Sequence, residues 1–154
     1  MDADEEKYLR SVVGFDNDLT DLLVAIETVH PWLDVSPKVH ADAKRPFLRQ
    51  SVEVALAPGI SVFFFHRRGP HWIAHTVLFN PETRQTYETH EAKKKIPDDA
   101  LILVWIWDAL ANTLINVASH FESDGNPDAA AAARFVLARL DGDGPFGHAR
   151  SEGA

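Results

Sequence analysis

Hydrophobic residues follow two different periods along this chain of 154 residues. In NDLTDLLVAIETVH, residues 17–30, leucine and isoleucine recur every three or four positions, which is the spacing of an amphipathic helix. Polar residues open this stretch and His30-Pro31 closes it, as expected for the two ends of a helix. From residue 51 onward, short runs of β-branched and aromatic residues stand between turn residues, which is typical of strands. The pattern therefore predicts a helix followed by a sheet.

Four strands are expected in the middle of the chain. SVEVALA and ISVFFFH flank Pro58-Gly59, while HWIAHTVLF and RQTYETH flank a turn that begins at Asn80-Pro81. Because these connections are short, neighbouring strands have to run antiparallel. We expect a four-stranded antiparallel meander, and we interpret residues 34–46, which hold two prolines, as a connection.

Two further helices are expected after the sheet. One long helix is predicted over residues 97–122, although the apolar residues 101–107 also suit a fifth strand. A second helix is predicted over residues 128–140. Its expected core anchors are Phe135, Val136, Leu137 and Leu140. We predict a single α+β domain over residues 1–142, in which the meander is flanked by an N-terminal helix and two C-terminal helices, and a flexible tail over residues 143–154.

Composition narrows the class of protein. Hydrophobic residues make up 45% of the chain and charged residues 25%, which is the balance of a soluble globular domain. The absence of cysteine excludes disulfides, thiolate zinc sites and cysteine nucleophiles. The opening MDADEEKYLR does not resemble a signal or transit peptide, and the apolar run ALILVWIW is too short to span a bilayer. We therefore expect a cytoplasmic protein that makes no membrane contact.

Charge is distributed unevenly along the chain. The formal net charge is −8, which argues against a nucleic-acid-binding protein. Residues 66–95, however, hold six basic and three acidic side chains, so this segment carries +3 and the remainder carries −11. The same segment is rich in histidine, which makes it the first place to look for a recognition site.

A basic and aromatic hairpin tip is the first candidate site. HRRGPHWIAH, residues 66–75, holds three histidines and two arginines. With a turn over residues 67–70, His66 would face His71 across the hairpin, with Cβ atoms about 5 Å apart. A hairpin tip is also where a rigid scaffold presents binding groups. The predicted binding residues are His66, Arg67, Arg68, His71, Trp72 and Arg84.

These histidines are not expected to share one metal ion. His75 would lie about 13 Å along the strand from His71, whereas zinc needs its nitrogen ligands at about 2.1 Å. The next hairpin would place His90 opposite Ala74 and on the face away from His75. The sequence shows no phosphate-binding loop, nucleophile elbow or HExxH motif. We predict no catalytic residue, no metal and no cofactor.

A polar stripe on the long predicted helix is the second candidate site. Its members are Asp108, Asn112, Asn116 and His120. Because they are spaced four residues apart, they share one face of the helix. The stripe is either a surface that faces solvent or a row of carboxylate, amide and imidazole groups that lines a cleft.

Both faces of the predicted sheet are apolar. One face is expected to carry Val52, Val54, Leu56, Phe63, Phe65, Trp72 and Leu78. The other is expected to carry Ile60, Val62, Phe64, Ile73, Val77, Phe79 and Tyr87. A sheet with one solvated face would alternate apolar and polar residues instead. Either helices cover both faces or a second copy covers one of them, so we predict a homodimer.

The function that these features favour is a small acidic binding or regulatory protein that acts through a protein partner. In size, acidity and helix-sheet-helix order the chain resembles the small dimeric secretion chaperones, with no shared motif. One alternative is a small hydrolase or phosphate-ligand enzyme that uses the hairpin tip. Another is an inhibitor from a phage or conflict system whose acidic surface imitates nucleic acid.

Overall fold

Three helices and five strands make up the described part of the chain. The computed structural model describes residues 17–39, 50–66, 71–80, 82, 83, 85–96 and 101–147, and for residues 39, 66, 87–89 and 91 it describes the backbone. The elements in chain order are α1 (Asn17–Val29), β1 (Asp34–Val39), β2 (Gln50–Ala57), β3 (Ile60–His66), β4 (His71–Phe79), β5 (Thr86–Lys95), α2 (Ile102–Ser123) and α3 (Pro127–Asp143).

The strands form one antiparallel sheet in the order β1-β2-β3-β4-β5. The α+β class, the meander and the arrangement of one N-terminal and two C-terminal helices are confirmed. The sheet has five strands rather than four, because β1 forms within the segment that was predicted to be a connection. Pro37 lowers the strand signal of this segment, but an edge strand tolerates proline because one of its sides makes no ladder hydrogen bonds.

The hairpin between β3 and β4 has a longer turn than the sequence predicts. His66 pairs with Trp72 rather than with His71, so residues 67–71 connect the paired positions. A shift of one residue moves a side chain to the other face of the sheet. The predicted cross-strand pair of His66 and His71 is therefore wrong.

The pairing of β4 with β5 also differs from the prediction. His90 lies opposite Thr76, two residues from the predicted partner Ala74, because β5 continues to Lys95 and its ladder has an irregularity at its start. A shift of two residues preserves the face, so His90 still projects away from the face of His75.

The main hydrophobic core lies between the helices and one face of the sheet. The buried strand residues on this face are Val52, Val54, Leu56, Ile60, Val62, Phe64, Trp72, Ala74 and Leu78. The predicted division of the faces is wrong, because Val52 pairs with Phe64 and thus shares its face. Phe65 and Ile73 belong to the opposite face and are also buried within a single chain. Covering these two side chains therefore requires no second copy.

Residues 101–107 do not form a strand. Leu101 is the N-cap residue of α2, which runs from Ile102 with its buried stripe at Ile106, Leu110, Leu114 and Val117. The apolar residues outside this stripe find partners in the neighbouring layers. Trp105 meets Phe64 edge to face at 5.6 Å, and the indole Nε1 of Trp107 donates to the Leu140 carbonyl at 2.9 Å. Tertiary packing thus outweighs the strand propensity of these side chains.

Helix α2 is the one described element that is long and apolar enough to cross a membrane by length and composition. It extends well beyond the run ALILVWIW that the sequence pattern singled out. This is weak evidence for a membrane span, because the core helix of a soluble protein meets the same criteria. In this fold α2 packs against α3 and the sheet.

The C-terminal end of α3 packs against the C-terminal end of α1. Asp143 accepts a hydrogen bond from the Trp32 indole at 2.5 Å and lies 3.6 Å from Nδ1 of the buried His30. Gly147 has a φ of 59° and approaches so closely that an added Cβ would lie 1.7 Å from the Val29 carbonyl oxygen. Residues 143–147, predicted as the start of a flexible tail, are thus packed, and residues 148–154 lie outside the described residues.

Candidate functional site

The hairpin tip contributes little to a site among the described residues. Arg67, Arg68 and Arg84 lie outside the described residues, as does the side chain of His66. Trp72 is only 6% exposed and belongs to the main core, so its ring packs inside the protein instead of anchoring a partner. His71 is half-buried at the start of β4. The predicted cross-strand pair of His66 and His71 at the tip does not form, because His66 pairs with Trp72.

The polar stripe on α2 divides into two halves. Asp108 and Asn112 are exposed and stand outside any described cavity. Asn116 and His120 line a cleft between α2 and the strands β4 and β5. The division follows from the sheet, because the last two turns of α2 cross the β4–β5 ladder. The second predicted site is thus half surface and half cleft.

The cleft has a volume of about 280 Å³ and mixes polar walls with an apolar floor. Its lining residues are Thr76, Leu78, His90, Thr113, Asn116, Val117 and His120. Sequence reasoning missed His90 as a member, because the predicted register placed it opposite Ala74. The observed register puts it beside Thr76, on the face that α2 covers. Helical spacing found Asn116 and His120, and strand register was the missing information.

Two polar contacts organise this cleft. The hydroxyl oxygens of Thr76 and Thr113 lie 3.3 Å apart, so one hydroxyl donates to the other and joins β4 to α2. At the outer rim, Nε2 of His120 lies 3.1 Å from the Asp124 carboxylate, one helical turn later. The cleft walls therefore have a fixed spacing, and one of the two imidazoles is oriented by a carboxylate.

The described histidines do not converge on one position. Among the described residues, no group of three or more histidine, aspartate and glutamate side chains is placed to hold an ion. His71 and His75 lie on one face of β4, and His90 on β5 projects to the other. The described histidines are thus spread over both sides of the sheet.

A second candidate surface is the outer face of α3. Seven exposed residues share this face: Asp128, Ala131, Ala132, Phe135, Ala138, Arg139 and Gly142. Phe135 is 73% exposed, which is the largest exposed fraction among the large hydrophobic side chains that the structure describes. The prediction that Phe135 anchors the core is wrong. It lies about 140° around the helix from the buried Leu140, so the two cannot face the same way.

Comparison with known proteins gives no functional assignment. No protein-family model, no curated protein and no solved structure matches this chain at a significant level. The chemistry of the cleft and of the outer face of α3 is therefore the basis for the proposals that follow.

Proposed function

We propose that this chain is a small binding or regulatory protein that acts through protein contacts, the first of which is with a second copy of itself. The observation that carries the proposal is the outer face of α3, where Phe135 stands exposed among alanines. Removing a phenylalanine side chain from water is worth about 1.5–3 kcal/mol. In the monomer Phe135 stays in contact with water, whereas packing against a partner surface would gain this free energy of burial.

The outer face of α3 has a pattern that suits a second copy in antiparallel orientation. If Phe135 packs over Ala132 of the second copy, Asp128 comes opposite Arg139 of that copy, whose guanidinium also lies over its own Trp32 ring, 4.6 Å from the ring centroid. Two-fold symmetry repeats both contacts, so the interface gains two aromatic contacts and two opposite-charge pairs. The small alanine side chains allow the helices to approach closely, and a ring can fill the space between them.

The expected strength of this contact is modest. A pair of helices buries less than the roughly 1,200–2,000 Å² of a standard specific interface. We therefore expect a dimer with a dissociation constant in the micromolar range, which corresponds to about −8 kcal/mol. A dimer of this strength is suited to regulation by protein concentration.

Light scattering tests the proposal. At high micromolar concentration the mass should approach twice the 17.2 kDa of the chain. Phe135→Glu should give a monomer at the same concentration, because it places two carboxylates in the contact. Ile115→Glu on α2 is the matched control, since Ile115 is also an exposed apolar residue but lies on a different helix. A wild-type monomer, or a dimer that survives Phe135→Glu, would contradict the proposal.

A charge exchange tests the antiparallel register separately. Asp128→Arg should weaken the dimer, because it brings two positive charges together at each end of the contact. Adding Arg139→Asp should restore it. If the double variant is no stronger than the single variant, the two helices do not pair in this register.

We place this function in the cytoplasm. Support comes from the absence of cysteine and from the acidic composition.

A further inference from the structure

The cleft between α2 and the β4–β5 ladder has a chemistry that the dimer does not use. We infer that it binds a small phosphorylated molecule through His90, Asn116 and His120. This inference does not depend on the self-association of α3. It rests on the donors that converge in the cleft, on the charges around it and on its size.

The polar groups at the cleft walls are hydrogen-bond donors or can act as donors. His90 reaches the cleft from β5, while Asn116 and His120 reach it from successive turns of α2. Imidazole and carboxamide N–H groups can both donate to phosphate oxygens. Because Nε2 of His120 is engaged by the Asp124 carboxylate, His120 can meet the ligand only through Nδ1. None of the described side chains that line the cleft is a carboxylate, so these walls suit an anion better than a cation.

Charge beside the cleft favours an anion as well. Lys93, Lys94 and Lys95 are exposed on β5, three to five residues after His90. By strand alternation, Lys94 is on the same face as His90. A cluster of lysines attracts an anionic ligand even where the lysines do not contact it. The Asp124 carboxylate at the rim is engaged with His120 and orients that ring.

The size and floor of the cleft indicate what else the ligand carries. A volume of about 280 Å³ suits a ligand no larger than a phosphorylated sugar. Leu78 and Val117 supply an apolar floor, and the Thr76–Thr113 pair offers hydroxyl groups beside it. Carbon atoms and hydroxyls of a sugar would match these two parts of the floor.

Titration by heteronuclear NMR with ribose 5-phosphate tests the inference at constant ionic strength. Saturable shifts are expected for amides of β5 and of the last two turns of α2. His90→Ala and His120→Ala should each weaken binding by about tenfold, the effect of losing one hydrogen bond to a charged group. His75→Ala is the matched control, because His75 is half-buried on the opposite face of the same sheet. It should leave the affinity unchanged.

Two parallel arms make the result decisive. Unphosphorylated ribose should produce no saturable shifts, and inorganic phosphate should compete with ribose 5-phosphate. Absence of saturable shifts with ribose 5-phosphate would overturn the inference, as would equal binding of ribose. An equal loss of affinity in His75→Ala would also overturn it. If a histidine variant does not fold, Asn116→Ala supplies the same test, because this exposed position makes a small contribution to stability.

Discussion

The two faces of α3 are built from similar residues and stand in different surroundings. The inner face carries Ala130, Ala133 and Leu140, all buried against the rest of the protein. The outer face carries exposed alanines and Phe135 together with the charged residues Asp128 and Arg139. Apolar side chains thus occur on both faces, and the difference between these side chains arises from what each face contacts. Those of the inner face contribute to folding, and those of the outer face are available for binding.

The same contrast separates the two ends of α2. Its first half places Trp105 and Trp107 against Phe64 and the Leu140 carbonyl, with aromatic rings filling the space. Its second half faces the cleft, where shorter polar side chains such as Asn116 leave a cavity. The first half of α2 is thus fully packed, and the second half borders a cavity. A binding site is expected at the cavity, where packing is incomplete.

The largest expected effect on the free energy of unfolding comes from truncating one side chain on each face of α3 and comparing the two losses. Leu140→Ala should lower the free energy of unfolding by about 2–5 kcal/mol, because it opens a cavity in the core. Phe135→Ala should change it by less than about 0.5 kcal/mol when measured in dilute, monomeric protein. Urea denaturation followed by circular dichroism measures both. A loss for Phe135→Ala that matches Leu140→Ala would mean that the outer face is part of the core.

Much of the fold follows from the sequence pattern, and the exceptions have physical causes. Helices α1 and α2 and the central strands were predicted because each has a clear hydrophobic period. Strand β1 was missed, since Pro37 and the polar residues around it resemble a loop. In α3 the position of Phe135 was mistaken, because alanines occur on both faces of the helix, although the charged Asp128 and Arg139 share the face of Phe135.

The candidate site was less predictable than the fold. Asn116 and His120 were found because they share a helix face. The contribution of His90 depends on the pairing of β4 with β5, which a turn one residue longer than predicted and an irregularity at Leu78 and Phe79 together displace by two residues. A cleft that joins a strand to a later helix is a tertiary relation, and local periodicity carries no information about it.

Acid should destabilise the buried contact at the C-terminal end of α3, where Asp143 lies near His30, and leave the solvated outer face of α3 unaffected. His30 is buried, its Nδ1 has no hydrogen-bond partner among the described residues, and Asp143 lies 3.6 Å away. Burial lowers the pKa of His30 below its usual value of 6.5, and it outweighs the opposing effect of the Asp143 carboxylate. The unfolded chain therefore takes up the proton more readily than the folded chain.

The free energy of unfolding should consequently fall as the pH drops below about 6.5, by at most about 1.4 kcal/mol per pH unit from this group. The loss should level off once the pH is below the folded-state pKa of His30. Urea denaturation across this range measures it. His30→Gln removes the titrating group and should flatten this part of the profile. His75→Gln, on a half-buried histidine, is the control and should retain the slope. An unchanged slope in His30→Gln would show that other groups cause the acid sensitivity.

The N-terminus of α3 tests whether the helix depends on its own ends as well as on its inner face. The Asn126 side chain accepts a hydrogen bond from the Ala129 amide at 3.3 Å, and Pro127 occupies the first turn. Asn126→Ala should cost about 1 kcal/mol, the usual value of a lost helix cap. Asn126→Asp keeps the acceptor and should retain the stability. An equal loss in both variants would indicate that the amide group has another role.

The smallest effect is expected on the flank between the two faces of α3, where Arg134 pairs with Glu122 of α2. Both side chains are at least half exposed, so water and salt screen their attraction. A double-mutant cycle with Arg134→Ala and Glu122→Ala should give a coupling of about 0.2–1 kcal/mol, decreasing as salt is added. A coupling well above this range, or one that salt does not change, would mean that this flank is desolvated. The boundary between the buried inner face and the exposed outer face of α3 would then lie closer to Phe135.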